Sequence, residues 1–232
     1  MYFNIEYLLY VAPALLIAMY ASYKVKSVFN KYSRVHSDSN LTGANAARLI
    51  LDNNGLNHVR VEQINGELND HFDPKRNIIR LSTNVYNSTS VAAIGVAAHE
   101  VGHAIQYANN YLPLKLRNAI IPLTNIGSKL SMPLILIGVL FAASGNIFII
   151  MAYLGIAFFA FSVIFQLLTL PTEFNASNRA LKSIEQYQIL DKNELTGSRH
   201  VLSAAALTYV AALAVSISQL LYLLTMVDRR DN

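Results

Sequence analysis

Four long apolar runs dominate this 232-residue chain and restrict what it can fold into. Hydrophobic residues make up 53% of the chain and charged residues 14%, a lopsided composition for a soluble domain. A helix that crosses a bilayer core needs about 20 consecutive apolar residues. The runs therefore predict a mainly α-helical, multi-pass membrane protein with transmembrane helices at residues 7–23, 121–143, 148–170 and 205–227.

The second run is the least regular of the four. Pro122, Lys129 and Pro133 interrupt it, so its first half can instead form an interfacial or soluble helix. The sequence Ser144-Gly145-Asn146 predicts a tight turn between the second and third runs. These two runs are therefore expected to form a transmembrane hairpin.

Basic residues predict how the chain is oriented in the membrane, because lysine and arginine accumulate in short cytoplasmic segments. Four of them directly follow the first run, whereas none precedes it: Lys24, Lys26, Lys31 and Arg34. We expect the N-terminus outside and residues 24–119 and 171–199 in the cytoplasm. Arg229 and Arg230 are the exception, since this scheme places them outside. A cleaved signal peptide is the alternative for the first run, but the basic segment that it requires is missing.

The chain is predicted to contain five successive parts. These are a first transmembrane helix (1–25), a cytoplasmic metalloprotease module (26–118), a transmembrane hairpin (119–170), a cytoplasmic segment (171–200) and a last transmembrane helix with its tail (201–232). In the module, Thr42 or Ser39 can cap a helix that Gly55 ends. Residues 58–63 and 77–81 are predicted strands, and Asn65-Gly66 is a hairpin signal. A small α/β module is expected, with a strand that can pair with an extended peptide.

The motif His99-Glu100-Val101-Gly102-His103 carries the clearest chemistry in the chain. On a helix, residues at positions i and i+4 share a face, so the two histidines can bind one zinc ion. In zinc hydrolases the adjacent glutamate takes a proton from water, whose pKa the metal lowers to about 7. The motif predicts peptide-bond hydrolysis with Glu100 as the base. The alternative is a pair of histidines hydrogen-bonded within a helical core.

A third zinc ligand must be His, Asp or Glu, because the chain has no cysteine. Glu173 is the leading candidate because it follows Pro171 where the third run ends. A helix-start carboxylate favoured by the macrodipole explains Glu173 equally well. His71 is the main rival ligand, with a structural role as its alternative. The other candidates on the cytoplasmic side are Glu67, Asp70, Asp73, Glu185, Asp191, Glu194 and His200.

Peptide hydrolysis also needs a donor for the developing oxyanion. Arg179, His200 and Tyr209 are the candidates near the inner face. Each also has an ordinary interpretation, as an ion-pair partner, an interfacial residue and a membrane-belt aromatic respectively.

Four sequence blocks together resemble the bacterial membrane zinc metallopeptidases often called YugP-like. They are HEVGHAIQ at 99–106, DHFDP at 70–74, EFNASNRA at 173–180 and AAALTYVAA at 204–212. The resemblance covers nearly the whole chain in order. It implies a membrane-anchored neutral zinc metalloprotease that acts on peptide or membrane-protein substrates.

A more distant similarity is to the HtpX and CAAX-prenyl-protease group, in which a downstream Glu-x-x-Ala-Asp block supplies the third zinc ligand. Residues Glu173 to Ala176 match the first part of that block. The similarity therefore implies that Glu173 completes a gluzincin-like site. Ser177 stands where the group has an aspartate that orients a zinc-binding histidine, so another carboxylate is expected to take that role.

Two competing functions are weaker. A site-2-type intramembrane protease would bury the motif in a span, but only eight apolar residues precede His99 and the chain lacks the Asp-Gly pair of those enzymes. A catalytically silent membrane scaffold would not need Glu100. The net charge of +4 suits anionic lipid headgroups, and no basic and aromatic stripe indicates nucleic acid.

Overall fold

The computed structural model describes residues 5–231, most of which are helical. The helices are α1 (Ile5–Tyr32), α2 (Gly43–Asn53), α3 (Thr83–Tyr86), α4 (Val91–Ala108), α5 (Leu112–Leu140), α6 (Asn146–Gln186) and α7 (Lys192–Asp231). The strands are β1 (Arg60–Ile64), β2 (His71–Asp73) and β3 (Ile78–Ser82). Residues 1–4 and 232, which end the first and last predicted parts, lie outside the described residues.

The chain divides into two compact units. The first unit comprises the residues up to Tyr20, Lys115–Leu170 and the residues from Thr208 onward. Four helices that contribute to it are long and apolar enough to cross a membrane: Ile5–Tyr32, Leu112–Leu140, Asn146–Gln186 and Lys192–Arg229. Each contains all or most of one predicted apolar run, which confirms the prediction of four candidate membrane helices. Large apolar side chains such as Leu9 and Leu140 are mostly exposed there, as a surface covered by lipid requires.

The hairpin of α5 and α6 forms as predicted. A short 3₁₀ turn, Ala142–Ser144, leads to Gly145, whose φ of 147° favours glycine, and α6 begins at the next residue. Helix α5 runs without a break through both of its interior prolines, Pro122 and Pro133. The two helices pack closely, since a Cβ on Gly138 would lie 2.5 Å from the carbonyl oxygen of Phe148.

An ion pair joins the two ends of the first unit. Arg229, near the end of α7, contacts the Glu6 carboxylate in the first turn of α1. The start of the first apolar helix and the end of the last one therefore lie on the same side, as an even number of spans requires. The pair also gives Arg229, the exception to the predicted charge distribution, a neutralising partner. The side chain of Arg230 lies outside the described residues.

The second unit comprises Ala21–Leu114 and Pro171–Leu207. Its core is formed by fully buried side chains from α2, β3, α4 and α6, among them Ile50, Leu81, Ile94 and Ile184. Each side chain of this size contributes about 1.5–3 kcal/mol when fully buried. Most residues of α4 are buried, so packing on several sides fixes this helix.

Helix α2 has the predicted ends. The Thr42 side chain accepts a hydrogen bond from the N–H of Asn45 at 3.2 Å, and Gly55 beyond the C-terminus has a φ of +71°. A cap of this kind contributes about 1 kcal/mol.

The sheet differs from the prediction. Its strand order is β1-β3-β2, with β1 parallel to β3 and β2 antiparallel to β3. The prediction that Asn65-Gly66 connects two paired antiparallel strands is therefore wrong, and the hairpin is formed by β2 and β3. Asp73 explains this, because its Oδ1 accepts hydrogen bonds from the N–H groups of Lys75 and Arg76 and so stabilises the turn.

Candidate metal centre

Two histidines and one glutamate of the second unit form a compact group of donor atoms. His99 and His103 lie one turn apart on α4, and Glu173 lies on α6. The Glu173 Oε2 is 3.2 Å from the Nε2 of His99 and 3.5 Å from the Nε2 of His103. One ligand atom from each residue lies within 4.8 Å of the others, and within residues 5–231 no other group of three His, Asp or Glu does so. The structure thus brings together the three predicted ligands.

Charges within this group favour an ionised carboxylate. Burial by itself would raise the pKa of Glu173, but hydrogen bonds and charge from the two histidines hold that pKa well below its usual range. Burial would lower the pKa of His103, but Glu173 and the charge of Glu100 raise it above the ordinary value. Two imidazoles and one carboxylate are a donor set of catalytic zinc sites, so the residues fit this metal.

A close helix crossing makes the group possible. Gly102 lies in α4 between the two histidines, and a Cβ there would lie 2.4 Å from the backbone oxygen of Ala176 in α6. Ala176 lies between Glu173 and Ser177 in the chain. The missing side chain at Gly102 therefore allows the α6 side chains to reach the histidines.

The other ring nitrogen of each histidine also has a partner. The Ser177 Oγ is 3.1 Å from the Nδ1 of His99, and the Gln106 Oε1 is 3.0 Å from the Nδ1 of His103. The expectation that another carboxylate replaces the aspartate missing at Ser177 is wrong, because the serine hydroxyl itself reaches His99. Sequence reasoning missed Gln106, although its position three residues after His103 on a helix was a usable signal.

Glu100 follows His99 on α4 and is only 7% exposed. Its charge acts on His103. Within residues 5–231, no group donates a hydrogen bond to this carboxylate. Glu100 is therefore a buried carboxylate next to the donor group.

The three predicted oxyanion donors have different surroundings. The Arg179 Nε donates to the Asn175 Oδ1 at 2.7 Å, and its guanidinium lies 6.0 Å from the Tyr111 ring centroid. The His200 Nδ1 is 2.9 Å from the Tyr32 hydroxyl. Tyr209 lies on the part of α7 that belongs to the first unit. Arg179 is linked to the side chains around the donor group through Asn175, which also accepts from Gln106.

The rival ligand His71 lies on β2 and has other partners. Its Nδ1–H donates to the carbonyl of Asn69 at 2.7 Å, and its Nε2 is 3.5 Å from Arg80. Asp70 accepts a hydrogen bond from the N–H of Ser82 at 2.8 Å. Four other candidates also have partners outside the donor group. Glu67 accepts a hydrogen bond from Asn84, and Asp73 forms an ion pair with Arg80. Asp191 and Glu194 cap the start of α7.

Comparison with known proteins defines the class. Residues 7–228 match a family described as "Putative neutral zinc metallopeptidase", and the chain belongs to this family. It is 48% identical over 219 residues to a Bacillus subtilis (strain 168) protein named "Putative membrane protease YugP". The match covers 94% of this chain and 95% of that protein. No solved structure matches the chain. The resemblance predicted from the four sequence blocks is confirmed.

Proposed function

We propose that this protein is a zinc-dependent endopeptidase of the cell membrane that hydrolyses peptide bonds of membrane or membrane-proximal proteins at the cytoplasmic face. The observation that carries the proposal is the group of three donors beside the buried carboxylate of Glu100. Either feature alone has a structural explanation, but together they are the parts of a hydrolytic zinc site.

The metal would be held by the Nε2 atoms of His99 and His103 and by the Glu173 carboxylate. A zinc ion in such a site acts as a Lewis acid towards water and towards a peptide carbonyl. The carboxylate of Glu173 and the two neutral imidazoles leave the site one net positive charge once zinc is bound. Such a charge would attract the electron-rich carbonyl oxygen of a peptide substrate.

Glu100 is proposed as the general base and acid. It accepts a proton from the attacking water, whose oxygen bonds to the carbonyl carbon, and it donates that proton to the amine nitrogen when the C–N bond breaks. Its burial and its position next to His99 on α4 support this role.

An extended substrate is proposed to pair with β2. This strand lies at an edge of the sheet and pairs with β3 on one side only among the described strands. It is held beside the histidine helix, because the ring of Phe72 packs edge-on against Tyr107 of α4 at 6.0 Å. Backbone pairing at an edge strand leaves the substrate sequence loosely specified.

The site is proposed to face the cytoplasm. The second unit is formed by the segments after the first span and between the third and fourth spans, which four spans place on one side of the bilayer. Lys24, Lys26, Lys31 and Arg34 begin the first of these segments, and such clusters mark the inner side. Residues 26–118 and 171–200 would then form one zincin-like cytoplasmic module.

A protease assay with a matched pair of variants tests the proposal. The purified, zinc-loaded protein should cleave an unfolded or membrane-derived peptide, and Glu100→Gln should keep its zinc while losing about 10²- to 10⁴-fold of the rate. Glu185→Gln, an exposed glutamate on α6, should cleave normally. Full zinc occupancy without any cleavage that depends on Glu100 would instead favour a silent scaffold. A site-2-type protease is not favoured, because α4 is not among the four candidate spans.

A further inference from the structure

We propose that Gln106 and Ser177 are positioning residues that fix the two zinc-binding imidazoles through neutral hydrogen bonds, and that Arg179 anchors the Gln106 branch. This inference rests on the proposed metal site. Arg179, a predicted candidate for the oxyanion donor, would then act as a structural support of His103.

The orientation of the Gln106 amide follows from its partners. Its side-chain nitrogen lies 2.7 Å from the carbonyl oxygen of Thr172 and 3.0 Å from the Oδ1 of Asn175. A carbonyl oxygen only accepts, so the NH₂ group must face Thr172. The Oε1 of Gln106 therefore faces His103, and the Nδ1 of His103 must carry the hydrogen. The neutral imidazole that binds a metal therefore has its lone pair on Nε2, the nitrogen that faces Glu173.

Arg179 fixes the orientation of the Asn175 amide, which is the next group in this hydrogen-bond network. Its Nε only donates, so the Asn175 atom 2.7 Å away must be the oxygen. That oxygen then also accepts from Gln106, which is fully buried and has no freedom to rotate into solvent. Arg179, a charged and half-buried side chain, thus supports the orientation of Gln106 that the Thr172 carbonyl requires.

Ser177 orients the His99 imidazole as Gln106 orients that of His103, through a hydrogen bond to Nδ1. Its Oγ lies 3.1 Å from the Nδ1 of His99, whose Nε2 is directed at Glu173. When the Nε2 of His99 binds a metal, its Nδ1 carries the hydrogen, and the Ser177 hydroxyl oxygen can accept it without adding a negative charge. Both imidazoles are therefore oriented by neutral acceptors, whereas a carboxylate acceptor would raise their basicity as ligands. We expect moderate rather than maximal zinc affinity, and Ser177→Asp should bind zinc more tightly.

Zinc affinity measured by competition with a chromophoric chelator tests the inference on the full-length protein in detergent. Gln106→Met, which removes both hydrogen-bonding groups at similar volume, and Ser177→Ala should each weaken zinc binding about 10- to 100-fold. Ser177→Thr keeps the hydroxyl and should restore most of the affinity. Ser183→Ala, a buried serine further along α6, is the matched control and should bind as the unmodified protein does.

The visible absorption of the cobalt-substituted protein provides a second measurement. Loss of a positioning partner should shift and broaden the ligand-field bands in Gln106→Met and Ser177→Ala, but not in Ser183→Ala. If Gln106→Met does not fold, Asn175→Ala removes one of the two acceptors of Gln106 and should give a smaller loss of affinity. Both variants act on His103 from outside the donor group.

The outcomes separate this inference from the metal site on which it rests. Unmodified protein that binds no zinc, or His103→Ala that binds as tightly, would overturn both. In the other case, the unmodified protein binds zinc tightly and His103→Ala abolishes the binding, while Gln106→Met and Ser177→Ala change the affinity by no more than about twofold. That result would overturn the positioning roles alone.

Discussion

The backbone carbonyl oxygen of Ala176 lies so close to Gly102 that a Cβ added to Gly102 would be 2.4 Å from this oxygen. Gly102 separates the two histidines of α4, and Ala176 separates Glu173 from Ser177 on α6. The contact between these two residues therefore sets the distance between the halves of the metal site. A backbone atom cannot rotate away from an added methyl group, so the two helices would have to move apart.

Gly102→Ala should consequently weaken zinc binding by at least about tenfold, because the shift moves both a ligand and its orienting serine. Gly95→Ala, also on α4, is the matched control. Its added methyl would meet the Ser198 hydroxyl, which has no described hydrogen-bond partner and can rotate. Alanine is favoured over glycine in a helix by about 1 kcal/mol, so Gly95→Ala should be tolerated. Unchanged zinc affinity in Gly102→Ala would show that the crossing does not set the site geometry.

Orientation in the membrane can be tested by cysteine labelling without removing any native cysteine, since the chain has none. Asn65→Cys, in the exposed loop after β1, should react with an impermeant maleimide only when the inner side is accessible. Ser144→Cys, in the hairpin turn, should react from outside in intact cells. The reverse pattern would invert the proposed topology.

Stability should depend on pH through Asp70. Burial raises the pKa of this carboxyl, while hydrogen bonds from Ser82 and the nearby His71 lower it less. A folded-state pKa above the unfolded value means that the folded state binds the proton more tightly. The stabilisation is thus complete below the unfolded pKa and is lost as the pH rises through the folded pKa.

Asp70→Asn keeps an oxygen that can accept from the Ser82 N–H and removes the buried charge. Its thermal unfolding midpoint should therefore vary less between pH 4 and pH 7 than that of the unmodified protein, with an equal or higher value at pH 7. Scanning calorimetry of both proteins in detergent measures this difference. A midpoint several degrees lower at pH 7 would mean that the charged form stabilises the fold.

The spans, the helix caps and two of the three proposed zinc ligands could be predicted because each depends on local sequence. Apolar run length identifies the membrane helices, and the spacing of His99 and His103 follows from helical periodicity alone. Glu173 required a neighbouring helix to be placed, and the resemblance to known blocks supplied what periodicity could not.

The rest depended on tertiary contacts. The Asn65-Gly66 signal is compatible with a hairpin, but the buried β3 pairs with β1 in parallel because the stronger turn follows Asp73. Two partners of Gln106, Thr172 and Asn175, lie 66 and 69 residues away in the chain, and no local pattern predicts them. Helices α6 and α7 also extend beyond their apolar runs, which hydrophobicity alone does not indicate.

The metal content of the purified protein tests the central claim most directly. We expect about one zinc per chain by inductively coupled plasma mass spectrometry, because three donors converge on one position. Glu173→Ala should lose most of this zinc, while Glu185→Ala on the same helix should retain it. Zinc content unchanged by Glu173→Ala, or lost instead on His71→Ala, would contradict the proposed centre.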